Sequence, residues 1–127
     1  MSVLVDSSIW IDYFRGTQTS EDLEFLIQEN LVVTNDLILA ELIPPLHIKR
    51  QNRLIGLLKE IKRAPVAPDW EDLVQMQIAC LRNGINAVGI PDLIIAQNAI
   101  QNDLQLLTRD RHFGLLCEHV PLSLYED

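Results

Sequence analysis

Apolar positions along the chain fall into two rhythms. Short contiguous runs alternate, from one end to the other, with longer stretches in which every third or fourth residue is apolar. Val3-Leu4-Val5 is a contiguous run that gives way to Asp6-Ser7-Ser8, a strand feeding a turn whose polar residues suit a helix start. Ile9 to Phe14 reads as a short helix closed at Gly16. Leu23, Leu26 and Ile27 mark a second, opened by a capping box at Thr19 and Asp22 and ending near Asn30. Leu31 to Thr34 is the next strand. Asn35 or Asp36 then caps a helix through Leu37, Ile38, Leu42 and Ile43, which Pro44-Pro45 should end or kink sharply. Helical spacing resumes from Leu46 to about Ile61.

Pro65 and Pro68 bracket an extended segment, after which Asp69 caps a helix with Trp70, Leu73, Val74, Gln77 and Leu81 on one side and a stop at Asn83-Gly84. Pro91-Asp92 opens a further helix through Leu93, Ile94, Ala96, Ala99 and Ile100. Leu104 to Thr108 is a strand, and Val120-Pro121-Leu122 a short last one, placed at an edge because Pro cannot donate to a ladder. Strands alternating with helices predict an α/β fold: a mostly parallel sheet covered by helices on both faces, with its ligand site outside the carboxyl ends of the strands.

A length of 127 residues fits one domain over residues 1–127, and 48% hydrophobic with 22% charged residues excludes a disordered chain. No apolar run approaches the roughly 20 residues of a spanning helix, and no signal peptide is evident, so the expectation is a cytoplasmic protein without membrane contact. Cys80 and Cys117 form no Cys-x-x-Cys pair and point to neither zinc nor a disulfide scaffold. The net charge of -8 argues against a generally basic nucleic-acid surface, yet Lys49, Arg50, Arg53, Lys59, Lys62 and Arg63 cluster with Glu60 as the lone acid among them. Lys49, Arg50 and Arg53 are therefore candidate contacts to RNA phosphates, or else the solvated side of an amphipathic helix.

Four carboxylates stand where the pattern does not call for solvated ones. Asp6 directly follows the first strand, with a helix N-cap as its plain alternative role. Glu41 shares a helical face with Leu37 and Ile38, where a charge needs a salt bridge or a metal. Asp92 lies in a first helical turn, and Asp110 follows a strand by two residues. In a doubly wound sheet, strand ends and neighbouring helix starts face one crevice, and carboxylates gathered there repel unless a cation neutralises them. An all-oxygen set suits Mg²⁺ or Mn²⁺; His47, His112 and His119 lack zinc-ligand spacing. Such ions serve phosphodiester hydrolysis. Ser8 and Thr108 are hydroxyls able to orient water or hold a carboxylate, or simply to cap backbone.

Asp6-Ser7-Ser8-Ile9-Trp10-Ile11-Asp12, Glu41, Pro91-Asp92 and Leu107-Thr108-Arg109-Asp110-Arg111-His112-Phe113 together resemble the PIN domains of VapC-type toxins, over the whole chain. The resemblance implies a three-layer α/β/α sandwich and an Mg²⁺- or Mn²⁺-dependent endoribonuclease with Asp6, Glu41, Asp92 and Asp110 as catalytic metal site, Ser8 and Thr108 supporting it. It implies a cognate antitoxin whose tail enters the active-site groove, and a homodimer. His112 stands where such relatives often carry a further aspartate, and the Pro44-Pro45 pair is not a feature expected of every relative. Two other readings fit the same residues: a catalytically silent interaction module, and a metal-dependent phosphatase or DNA nuclease. The Asp-x-Asp opening of one major phosphatase group is absent.

Overall fold

The computed structural model describes residues 2–16 and 21–125. In chain order these form β1 (Val3–Val5), α1 (Ser7–Arg15), α2 (Glu21–Gln28), β2 (Val32–Thr34), α3 (Asp36–Ile48), α4 (Asn52–Lys59), β3 (Lys62–Arg63), α5 (Trp70–Arg82), α6 (Ile90–Gln101), β4 (Gln105–Leu107) and α7 (Arg111–Leu116). The sheet order is β3-β2-β1-β4 and every pairing is parallel, with Leu4 opposite Val33 on one side and Leu106 on the other. Val3, Leu4, Val5 and Leu106 are fully buried, the condition of strands covered on both faces. Right-handed crossovers put α1 to α4 on one face and α5 and α6 on the other, which makes the α/β/α sandwich. The chain advances from β1 to β3 in one direction, then returns across the sheet to β4. The order of connections therefore reverses between β1 and β4, where ligand crevices form.

The Pro44-Pro45 break does not occur: α3 runs unbroken from Asp36 to Ile48 with both prolines inside it. The missing proline amides deprive the carbonyls of Ala40 and Glu41, both exposed residues that water can satisfy, while Ile38, Leu39, Leu42 and Leu46 stay buried on either side. The continuous helix expected from Leu46 to Ile61 divides instead at Arg50, whose φ is 58°. The Gln51 amide reaches back to the Leu46 carbonyl at 2.9 Å, a Schellman closure made without glycine.

Other boundaries also differ. The last strand is not Val120 to Leu122; a single parallel bridge pairs Leu124 with Leu106 beyond β4. On α5 the buried face is Leu73, Met76 and Cys80, leaving Trp70, Val74 and Leu81 exposed. Two apolar stripes are compatible with that helix, and packing against α6 selects the one centred on Leu73 and Met76. β3 and α7 are additions to the expected elements. The capping box at Thr19 lies outside the described residues.

Buried amides join the two helical layers at the carboxyl end of the sheet. Asn35 caps α3 by accepting the Ile38 amide at 2.8 Å, and its Nδ2 donates to Asn98 Oδ1 on α6 at 3.0 Å; Asn98 Nδ2 donates to the Pro65 carbonyl at 2.9 Å. Gln97 beside it donates to the Asp69 carbonyl and to Asp72 Oδ2. Asn98→Ala would strand the buried Asn35 Nδ2 donor, so a loss of about 1–3 kcal/mol is expected, read as a lower urea midpoint at unchanged m-value.

Candidate functional site

β1 ends at Val5, and the next side chain, Asp6, is buried at 5% exposure where β1 and β4 meet. Asp6 occupies the N-cap position of α1 yet its carboxylate caps no backbone amide. Its Oδ2 instead accepts two hydroxyl hydrogen bonds, from Ser8 Oγ at 2.8 Å and from Thr108 Oγ1 at 2.8 Å. The Ser8 and Thr108 oxygens are themselves 3.4 Å apart. Thr108 Oγ1 and Ser8 Oγ also accept the backbone amides of Asp110 and Arg109, at 3.0 and 3.1 Å. A short polar lattice thus ties the turn after β4 to the start of α1 and fixes one oxygen of Asp6.

The other carboxylates arrive on helices. Glu41 comes from the second turn of α3 and is exposed rather than on the buried stripe expected for it. Its pKa is nevertheless raised, first by loss of water around the carboxyl and then by the charges of Asp6 and Asp92, against a hydrogen bond with Ser7. Glu41 is thus within electrostatic reach of both aspartates. Asp92, half-buried in the first turn of α6, accepts the Gly89 amide at 3.3 Å. Its pKa is raised by burial, with Asp110 and Asp6 adding to the rise and Gly89 and His112 opposing it. Asp110 caps α7: its Oδ1 takes the His112 amide at 2.9 Å and His112 Nδ1 at 2.8 Å. Hydrogen bonds thus join Asp6, Ser8, Thr108 and Asp110, and Glu41 and Asp92 lie within electrostatic reach of Asp6.

Lys49, Arg50 and Arg53 are not part of it. They lie exposed at and after the far end of α3, a 13-residue helix that spans roughly 20 Å at ~1.5 Å per residue. Arg109 and Asp12, absent from the expected site, form an ion pair of 2.7 Å beside it. The signal in the sequence was the place of Arg109 between Thr108 and Asp110, and of Asp12 one helical turn after Ser8.

Among the described residues no group of three or more His, Cys, Asp or Glu closes into a metal-holding cage. The donor set still fits a hard cation. It is all oxygen, and the charges of Asp6 and Asp92 raise the pKa of Glu41 as those of Asp110 and Asp6 raise that of Asp92, a repulsion that a divalent ion removes. An ion that keeps several waters needs only one or two protein carboxylates. Asp6, Glu41, Asp92 and Asp110 are the residues that would hold it.

The family model for the PIN domain matches residues 3–118. No curated protein sequence matches. Among solved structures, VapBC2 from Rickettsia felis bound to a DNA fragment from their promoter aligns at 20% identity over 98% of both chains, with a TM-score of 0.77. FitAcB from Neisseria gonorrhoeae aligns at 20% identity over 98% of this chain and 96% of the other, TM-score 0.72. VapBC-5 from Mycobacterium tuberculosis, a member of the VapBC family of toxin-antitoxin systems, aligns at 20% over 99% and 98%, TM-score 0.69. At such identities these likenesses bear on the fold, and they agree with the parallel sheet and helical layers described above.

Proposed function

Because the chain belongs to the PIN domain family, we propose that it is a metal-dependent endoribonuclease. On this reading it is the toxin of a type II toxin–antitoxin pair and hydrolyses RNA phosphodiester bonds at the cluster of Asp6, Glu41, Asp92 and Asp110. The observation that carries the reading is Asp6. A buried carboxylate at a helix N-cap ordinarily bonds the helix amides, and this one forgoes them for Ser8 and Thr108 while raising the pKa of Glu41.

A bound Mg²⁺ or Mn²⁺ supplies charge neutralisation and an activated water for phosphodiester hydrolysis. The chain's own part is placement. Ser8 and Thr108 hold Asp6 Oδ2 so that its other oxygen is presented in a fixed direction. The Gly89 amide steadies Asp92 at the start of α6, and the α7 cap steadies Asp110. Glu41 and Asp92 hold their protons more tightly than free carboxyls do, so the site binds its cation best where both are ionised. Thr108→Val keeps shape but removes one hydroxyl from Asp6 and the acceptor of the Asp110 amide; a 10- to 100-fold fall in cleavage rate or metal affinity is expected, with a stability loss of about 1–3 kcal/mol.

The partners of this reading are RNA, a cognate antitoxin and a second copy of the chain. Support for the antitoxin comes from an apolar groove lined by Trp10, Tyr13, Ile27, Leu54, Leu57 and Ile61. The groove is walled by apolar side chains of α1, α2 and α4, a surface suited to the apolar side of an inserted segment. α1 links this groove to the carboxylate crevice.

The alternatives are the catalytically silent module and a nuclease acting on DNA. Purified protein incubated with structured RNA and with DNA of the same sequence, in Mg²⁺, Mn²⁺ or chelator, separates the readings. Cleavage of RNA that needs metal supports the ribonuclease, cleavage of DNA alone replaces the substrate, and no cleavage with no stabilisation by metal leaves the module.

A further inference from the structure

The sheet order puts β3 and β4 on opposite edges, and the carboxyl end of each carries an arginine paired with an aspartate. Arg63, the last residue of β3, meets Asp36 Oδ1 through Nη1 at 3.1 Å and the Lys59 carbonyl through Nη2 at 3.4 Å. Arg109, two residues past β4, meets Asp12 Oδ2 through Nε at 2.7 Å, and its own amide donates to Ser8 Oγ. The two aspartates belong to α3 and α1, helices of the same layer, so both guanidinium groups are fastened on one side of the strand ends. The carboxylate cluster lies between β2 and β4, inside that pair.

Ion pairs this exposed contribute little to stability, typically about 0–1 kcal/mol. What they do here is hold a planar fork in a set position with donors to spare: a guanidinium carries five N–H groups, and the bonds made to Asp36, Lys59 and Asp12 use a minority of them. An acidic crevice in a chain of net charge -8 repels a polyanion unless cations stand at its margins. Arg63 and Arg109 stand there; Lys49, Arg50 and Arg53 stand at the far end of α3 and beyond.

We propose that Arg63 and Arg109 are phosphate-binding residues that mark the two ends of a track for single-stranded RNA across the carboxyl ends of the sheet. The proposal rests on the ribonuclease reading above. Three strand spacings separate β3 from β4, roughly 14 Å. Asp6 follows β1 and Asp110 follows β4 within that span, so a scissile bond held at these carboxylates falls between the two clamped phosphates.

The test is binding of a short fluorescein-labelled single-stranded RNA of mixed sequence to Asp6→Asn protein in Mg²⁺ across a KCl series. Arg63→Gln and Arg109→Gln are made in that background, singly and together, with Arg109→Lys and the triple change Lys49→Gln, Arg50→Gln, Arg53→Gln. Each arginine change is expected to lower the slope of log affinity against log salt by about 0.7, the two together by about 1.4. Arg109→Lys should keep most of the slope, the triple change should leave it intact, and melting temperatures should stay close to the parent. An unchanged slope in both arginine variants, or a reduced slope in the triple variant alone, overturns the track while RNA binding itself leaves the ribonuclease reading standing. Absence of RNA binding by the parent, where matched DNA binds, overturns both.

Discussion

Asp6→Asn protein is expected to lose RNA cleavage by about three orders of magnitude or more while remaining folded. The magnitude follows from the several kcal/mol of charge stabilisation that a held cation gives to phosphodiester hydrolysis, at ~1.4 kcal/mol per tenfold in rate. Folding survives because both hydroxyl donors converge on a single oxygen, Oδ2, and the Asn Oδ1 can take its place. Removing a negative charge beside Glu41 and Asp92 also relieves repulsion in the metal-free protein. The measurement is initial cleavage rate in Mg²⁺ beside a thermal melt in chelator. A folded variant that cleaves normally removes Asp6 from the site, and a variant that unfolds makes it a structural residue.

Saturating Mn²⁺ or Mg²⁺ should raise the melting temperature of the wild-type protein by about 10 °C, and of Asp6→Asn or Asp92→Asn protein by far less. Ligand at a hundred times its dissociation constant stabilises by ~2.7 kcal/mol, which for a domain of this size corresponds to a shift of that order. The effect should depend on pH in a direction set by Glu41 and Asp92. Both have folded pKa values above those of the unfolded chain, so between the two values the native state binds more protons than the unfolded one. Without metal, stability therefore rises as pH falls from neutral through the raised pKa values toward the ordinary carboxyl range, and levels off below it. With metal the trend opposes this, because protonation of the same groups displaces the cation. The two melting curves should converge in mild acid. Curves that run parallel from neutral pH to about 4 would show that the cation, if bound, is held elsewhere.

Much of the candidate site was legible because its residues are fixed by local rules. Asp6, Thr108 and Asp110 sit at the ends of apolar runs, and Asp92 opens a helix; in an alternating α/β chain those positions converge whatever the details of packing. The same logic offered Asn35 or Asp36 as a cap, and the structure selects Asn35. Glu41 was found for a reason the structure alters, since it is exposed rather than set in the apolar stripe. Arg63 and Arg109 were not singled out from their surroundings, because a salt bridge between elements is invisible until the elements are placed.

The sequence by itself determined the alternation of strands and helices, the parallel sheet and the positions of its carboxylates, because these follow from side-chain periodicity and from what caps a helix. Tertiary structure decided the rest. It kept α3 whole through Pro44 and Pro45, since burial of Leu42 and Leu46 holds both halves and water reaches the carbonyls left without donors. It made a strand of Lys62 and Arg63, which carry no apolar signal, through backbone pairing with Val33 and Thr34. It also chose which stripe of α5 faces inward, and it turned Asp6 from a helix cap into the partner of Ser8 and Thr108. In each case a neighbour distant in sequence took part in the decision, Thr108 in that of Asp6, and no local pattern records it.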